Sequence, residues 1–312
     1  MQPLEVRVTD IRREAIDIRS YGLTPVDDHR IPAFDPGAHI KLHLPNGMAR
    51  SYSLINPPEN GDGYRIAVKR DAAGRGGSSY LHDHVKVGDI FKADTPANNF
   101  HLREEAEHSI LVAGGIGITP IYAMAHRLTD LGRNWRLYYT ARSLAHAALL
   151  ESISTLPGKV QTFFPEDGTP ALDLRAIFDN APAGAHFYCC GPAGMLDHFI
   201  ASATVSSDFV HIERFSGQTG TINDRGCRVK LARDGRTISV SPGQSILDAL
   251  LDTGIKVEFS CREGLCGACE TKVLKGIPDH RDFILDDEQR ETNRVMMVCC
   301  SGATSDSLTL DL

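Results

Sequence analysis

Four cysteines near the C-terminal end of this 312-residue chain constrain it more than any other feature. Cys261 and Cys266 are separated by four residues, Cys266 and Cys269 by two, and Cys299 lies much further on. A plant-type [2Fe–2S] cluster uses that spacing, with three thiolates on one wrapping loop and the fourth from a separate segment. Gly264 and Gly267 relax the φ restriction such a loop otherwise meets. Structural zinc, the competing metal, is normally held by two short knuckles, and Cys299 has no second ligand at that spacing except adjacent Cys300. A disulfide framework fits poorly, because Cys266 and Cys269 share one tight loop. Cys299 and Cys300 can each reach an iron if their strand shifts by one residue.

The start, MQPLEVRVTDIRREAIDIRS, mixes charged with apolar residues and lacks the apolar stretch of an export signal, so a cytoplasmic protein is expected. No run approaches the roughly 18 apolar residues of a membrane span. The net charge is −7 with Lys and Arg scattered, which argues against a nucleic-acid face.

The length allows two or three domains. Residues 1–102 read as short strands (Leu4 to Val8, His39 to Leu44, Tyr52 to Ile55, Tyr64 to Lys69), with turns at Pro45-Asn46-Gly47 and Asn60-Gly61-Asp62-Gly63. An antiparallel β-barrel is expected there. Residues 103–215 change pattern: the apolar run Ile110 to Ala113 meets a glycine turn and a helix to Leu131. Strand Trp135 to Thr140, a helix near Ala145 to Thr155, and strands Val160 to Phe164 and His186 to Cys189 continue the alternation, predicting an α/β domain with a parallel sheet. Small and polar residues over 216–226 read as a linker, and 227–312 as a small α+β, β-grasp-like unit with a helix over Ile246 to Asp252.

Two motifs beyond the cysteines carry chemistry. Gly74-Arg75-Gly76-Gly77-Ser78-Ser79 precedes a short helix from Tyr80, so its amides and hydroxyls suit a phosphate, the alternative being a plain glycine loop. Gly114-Gly115-Ile116-Gly117-Ile118-Thr119-Pro120 follows a strand and opens a helix, the context for pyrophosphate, although the third glycine of the dinucleotide fingerprint is missing. At the next strand's tip, Thr140-Ala141-Arg142-Ser143 offers no acid for a ribose 2′-hydroxyl, and Arg142 suits a phosphate.

CREGLCGACETKVLKG, PDHRD, MMVCCSGA and LTLDL resemble the ferredoxin domain of the phthalate dioxygenase reductase and vanillate demethylase reductase family. Arg50-Ser51-Tyr52-Ser53, AGGIGITP, Cys190-Gly191-Pro192 and Glu213-Arg214-Phe215 are similar to motifs of its reductase superfamily, so the resemblance covers nearly the whole chain. It implies FMN bound by Arg50, Ser51, Tyr52, Ser53, Lys69, Gly76, Gly77, Ser78 and Ser79. It implies NADH at Gly115, Gly117, Thr119, Pro120, Arg142, Cys190, Gly191 and Pro192. Ser53, Cys190, Glu213 and Phe215 would lie beside the reacting rings, Cys299 would be the fourth cluster ligand, and Cys300 a packed thiol. The function implied is a monomeric reductase component of a two-component oxygenase. Electrons pass from NADH through FMN and the [2Fe–2S] cluster, singly, to a separate Rieske-type oxygenase that hydroxylates aromatic rings or O-demethylates. Arg262, Glu263 and Leu265 are docking candidates. The alternatives are a donor to a cytochrome P450 and a cluster-based, redox-responsive interaction protein.

Overall fold

The computed structural model describes residues 4–27, 31–56, 63–217, 225–259 and 261–312. Asn60-Gly61-Asp62 of the second expected turn and 218–224 of the expected linker lie outside them. The chain divides into two compact units, Met1–Arg214 and Phe215–Leu312.

The first unit opens with β1 (Leu4–Ala15), β2 (Ile18–Pro25), β3 (Ala38–His43), β4 (Ala49–Ser53) and β5 (Tyr64–Lys69). Helix α1 (Gly77–His84), β6 (Ile90–Ala93) and β7 (Ala97–Asn98) follow. These strands pair antiparallel in the order β4-β3-β6-β1-β2-β5, with β7 on β3. A bridge from Leu54, just past β4, to Ile66 of β5 joins the two ends, closing the expected barrel. The alternation along β3, with Ala38, Ile40 and Leu42 buried and the residues between them half-buried, is the period-2 signature of a strand with one face on a core. Gly47 adopts φ +80° between β3 and β4, the left-handed conformation that glycine reaches without steric cost.

The same unit continues with β8 (His108–Gly114), α2 (Ile118–Asp130), β9 (Asn134–Thr140), α3 (Leu150–Ser154), β10 (Lys159–Phe163), α4 (Leu174–Asp179), β11 (His186–Cys190), α5 (Ala193–Ser202) and β12 (Val210–Glu213). The sheet order is β10-β9-β8-β11-β12, all parallel. Strand order reverses between β8 and β11, and at such a switch point open α/β sheets bind ligands beyond their strands' carboxyl ends. The helix expected over Ala145–Thr155 is interrupted: a 3₁₀ turn covers Leu144–His146 and α3 starts only at Leu150, because Leu149 sits at φ +61°. Beside the barrel's own core, one cluster spans the barrel and the parallel sheet. Ile18, Ile55, Ala67 and Phe100 pack in the same cluster as Leu111, Ile121, Met124 and Tyr139, which is why 1–102 and 103–214 form one unit rather than two.

The second unit contains β13 (Cys227–Leu231), β14 (Thr237–Val240), α6 (Ile246–Asp252), β15 (Glu270–Lys275), β16 (Pro278–Asp279), α7 (Asp287–Thr292), β17 (Val295–Met297), β18 (Gly302–Ala303) and β19 (Ser307–Leu310). The main sheet runs β14-β13-β19-β15-β17 with β13 and β19 parallel. Ile246 and Leu250 of α6 pack on Val229, Leu231 and Met296. Ser245 caps α6 by accepting from the Asp248 amide at 3.0 Å, and Gly254 ends it at φ +80°.

Candidate functional site

Three groups of residues gather chemistry. In the second unit, the loop between α6 and β15 brings three thiols together with Cys299, which follows β17. The Cys261 thiol interacts directly with those of Cys266 and Cys299, and Cys269 with Cys299. Cys261 Sγ also accepts from the amides of Glu263 and Leu265, both at 3.3 Å. The neighbouring Cys266 and Cys299 thiols, aided by these amides, pull the Cys261 pKa down to about 2. The same contacts lower the pKa of Cys261 and Cys269 and raise that of Cys266 and Cys299; it is the gathering of four thiols from a loop and a separate segment that matches the donor set of an iron–sulfur centre. Among the described residues no three His, Cys, Asp or Glu are arranged about a single ion; a two-iron cluster distributes its four sulfurs over two irons.

The fit depends on Gly264, at φ +70°, where a β-carbon would stand 2.6 Å from Cys300 Sγ and 2.9 Å from the Asp282 α-carbon. Cys300 is buried with its thiol 3.7 Å from the Met297 carbonyl. It therefore packs beneath the loop while Cys299 faces the other thiols. Cys269 and Cys299 are buried, whereas Cys261 and Cys266 are half-buried, so one side of the set approaches the surface. Of the docking candidates only Arg262 is exposed; it binds Asp248 at 3.0 Å and lies 4.7 Å over the Phe259 ring.

The barrel site is built by β4 and the start of α1. Register pairs Leu42 with Arg50, Ile40 with Tyr52 and His39 with Ser53. Alternation therefore puts Tyr52 on the opposite face from Ser51 and Ser53. Arg50 reaches the phosphate-type loop: its Nη2 donates to the Arg75 carbonyl at 3.3 Å, and a β-carbon on Gly77 would stand 2.6 Å from Arg50 Cγ. Gly76 caps α1 at φ +84°. Ser78 and Ser79 bind the backbone of Asp71 at 3.0 and 3.2 Å, closing the loop on itself. Lys69 is exposed at the end of β5. Ser53 is 4% exposed and its hydroxyl has no partner among the described residues. A buried orphan hydroxyl costs free energy unless something meets it, which is the fit expected of a residue that binds a ring nitrogen.

The third group lies at the carboxyl edge of the parallel sheet. Ala113, Cys190 and Glu213 sit side by side in register. The glycine turn after β8 and the Cys-Gly-Pro turn after β11 touch: a β-carbon on Gly117 would overlap the Cys190 carbonyl, and one on Gly114 the Met195 sulfur. Gly115 takes φ +54°. Thr119 and Pro120 are buried, and the Thr119 hydroxyl donates to the Ile116 carbonyl at 2.9 Å, so it ties the turn rather than facing outward. Gly191 is half-buried and Pro192 exposed. Glu213 is only half-buried as a residue, but its Oε2 is buried with no partner among the described residues, and burial raises the carboxyl pKa to about 8. Burial, with the Glu213 carboxyl beside it, likewise pushes the Cys190 thiol far up. Burial favours the protonated form of both. Phe215 opens the second unit and is 41% exposed.

Sequence reasoning missed two features. Glu166, from the turn after β10, lies 3.6 Å from Arg142, whose Nη2 also meets His146 at 2.6 Å. A spacing of 24 residues carries no cue for that pair. Behind the cluster loop, Asp282 is 1% exposed and accepts from the Ile284 and Leu285 amides, while Phe283 donates to the Gly264 carbonyl. The run PDHRD leads into these residues, but its charges suggest a surface.

Residues 229–304 match the family described as the 2Fe-2S iron-sulfur cluster binding domain, and residues 92–207 match that of the dimethylamine monooxygenase subunit DmmA-like N-terminal domain. The phenoxybenzoate dioxygenase subunit beta of Ectopseudomonas oleovorans is 47% identical over 314 residues, covering 100% of this chain and 98% of that protein. The tetrachlorobenzoquinone reductase of Sphingobium chlorophenolicum is 44% identical, covering 99% and 98%. The solved structure of phthalate dioxygenase reductase, described as a modular structure for electron transfer from pyridine nucleotides to [2Fe–2S], superposes with a TM-score of 0.78 at 36% identity, covering 99% of this chain and 98% of that one. The chain belongs to the phthalate dioxygenase reductase family. It is an oxidoreductase with that family's order of modules: barrel, parallel sheet, ferredoxin unit. Among the described residues no helix is long and apolar enough to cross a membrane.

Proposed function

We propose that this protein is the reductase component of a two-component oxygenase, drawing electrons from NADH through FMN to a [2Fe–2S] cluster and on to a separate Rieske-type oxygenase that hydroxylates aromatic rings or O-demethylates. The observation that carries the proposal is the convergence of Cys261, Cys266, Cys269 and Cys299 on a chain that also builds a nucleotide edge and a flavin strand. FMN supplies the exchange between two-electron and one-electron chemistry. Arg50 and the loop Gly76, Gly77, Ser78 and Ser79 hold its phosphate, Ser51 and Lys69 flank it, Tyr52 presents a ring face, and Ser53 uses its orphan hydroxyl on the ring. Gly115 and Gly117 bring backbone close to the nucleotide pyrophosphate, with Thr119 and Pro120 fixing that turn. Cys190, Gly191, Pro192 and Glu213 border the nicotinamide, with Phe215 the aromatic next along the chain. The protonated Glu213 carboxyl donates a hydrogen bond there. Arg142, held by Glu166, meets the ribose; the partnered cation favours NADH over NADPH. Cys299 ligates iron and Cys300 does not. The half-buried Cys261 and Cys266 side is where electrons leave. The protein acts as a cytoplasmic monomer.

The test offers the protein, with NADH, to purified Rieske oxygenases and P450s lacking their reductases. Product from a Rieske oxygenase supports the proposal; product only from a P450 overturns the partner assignment. The relation to a tetrachlorobenzoquinone reductase favours a second reading, direct reduction of a quinone. If quinone-dependent NADH oxidation survives Cys299→Ser, the flavin alone serves that reaction and the second reading stands.

A further inference from the structure

Behind the cluster loop, between β16 and α7, lies a group of buried polar side chains that bind no thiol and take no part in the electron path. Four of their atoms are buried with no hydrogen-bond partner among the described residues: both ring nitrogens of His280, Asp282 Oδ2 and Arg290 Nε. His280 Nδ1 stands 3.8 Å from Asp282 Oδ2, too far for a hydrogen bond. Burying a carboxylate without full pairing costs stability, and Asp282 is placed where its charge has an effect on the cluster loop.

Two connections run from Asp282 to the cluster thiols. The first is a chain of hydrogen bonds. Asp282 Oδ1 accepts from the Ile284 and Leu285 amides at 3.0 and 2.8 Å, folding residues 282–285 into a turn. Within that turn the Phe283 amide donates to the Gly264 carbonyl at 2.9 Å. The Gly264 carbonyl and the Leu265 N–H belong to one planar peptide, and the Leu265 N–H donates to Cys261 Sγ at 3.3 Å. The turn therefore fixes and polarises a peptide whose N–H meets a cluster sulfur. The second connection is contact. A β-carbon on Gly264 would stand 2.9 Å from the Asp282 α-carbon and 3.2 Å from its β-carbon, so Asp282 packs directly against the loop. Its side chain is 0% exposed, and solvent screens a charge there far less than at the surface. Arg290 Nη2 donates to the Asp282 backbone carbonyl at 2.7 Å, but the Arg290 side chain is 35% exposed and its charge is better screened. His280 does not offset the carboxylate, because burial lowers its pKa.

We propose that Asp282 is a positioning residue that sets the reduction potential of the cluster, its turn holding the loop and its buried negative charge opposing the added electron. The inference rests on the four thiols binding a [2Fe–2S] cluster. Net charge and hydrogen bonds to sulfur are among the levers that set such potentials.

Redox titration of the holoprotein with dithionite and mediators, read by the electron paramagnetic resonance signal of the reduced cluster, tests it. Asp282→Asn keeps the shape and an oxygen for the two amides but removes the charge. At a fixed solution potential its ratio of reduced to oxidised cluster should rise about tenfold, a shift of about 59 mV for one electron. Asp282→Ser, whose hydroxyl suits the same amides, serves if Asp282→Asn does not retain its cluster. Arg290→Gln removes the opposing charge, and its ratio should fall about threefold, less because that charge is screened. A loosened loop alone would move both variants the same way. An unchanged or lowered ratio in the neutral Asp282 variant, or an unchanged or raised one in Arg290→Gln, overturns the proposal. A parent protein with no reduced-cluster signal overturns the cluster reading itself, and the proposal with it.

Discussion

The cluster loop and the sheet edge proposed for the nucleotide gather their residues by opposite means. The loop draws three of its four sulfurs from nine consecutive residues, 261–269, and supports them with its own amides. The nucleotide edge joins Ala113, Cys190 and Glu213, a hundred residues of sequence, by the register of a parallel sheet. The first site is local and rich in donors. The second leaves Glu213 Oε2 buried with no partner among the described residues, as the barrel does the Ser53 hydroxyl. A local site is breakable one ligand at a time, whereas a register site is breakable by any change that parts two strands.

The largest effect should come from the ligands. Cys299→Ser should abolish the cluster, read as loss of its visible absorbance and of the reduced-state electron paramagnetic resonance signal, while Cys300→Ser retains both. The reverse outcome would exchange their roles. Next is Gly117→Ala, whose methyl would overlap the Cys190 carbonyl. It should weaken nucleotide binding by about 100-fold, with flavin and cluster content unchanged, because the two turns must part to admit it; overpacking of this kind costs about 1–3 kcal/mol.

Glu213→Gln gives a smaller, pH-dependent effect. The folded carboxyl pKa, about 8, lies above its ordinary 4.5, so the folded state holds a proton that the unfolded state releases. Stability from this group is therefore full below about pH 4.5 and falls as pH rises toward 8. The variant should lack that decline and be more stable than the parent at pH 8, by about 1–3 kcal/mol, in denaturant titrations of the apoprotein. Parallel curves for the two proteins from pH 5 to 8 would refute a protonated Glu213. The smallest effect is Glu166→Gln, which removes the only carboxylate paired with Arg142 among the described residues and leaves its contact with His146. The NADPH to NADH ratio of kcat/KM should rise about 1.5- to fivefold, since an exposed pair contributes only about 0.2–1 kcal/mol. An unchanged ratio removes Arg142 from the ribose site.

The same contrast governs what the amino-acid sequence makes legible. Cysteine spacing and glycine turns report local geometry, so the cluster loop, the hairpin at Gly47 and the strand–turn–helix of β8 and α2 are readable from residue order alone. Leu149 at φ +61° is not, because leucine gives no hint of a left-handed backbone, and the helix expected from Ala145 is broken there. Nor is the Arg142–Glu166 pair, which depends on how β9 and β10 lie together. The division into barrel and α/β segments follows a change of pattern along the chain. The shared core of Ile18, Ile55 and Phe100 with Leu111 and Met124 arises from side chains remote in sequence, and no pattern within either segment signals it.

The central claim is that electrons travel from NADH through the flavin to a cluster held by Cys299. Anaerobic stopped-flow mixing with NADH, recording flavin and cluster absorbance together, tests it most directly. In the parent protein both should bleach, and in Cys299→Ser the flavin alone. If NADH leaves the parent's flavin and cluster unbleached, the account is wrong.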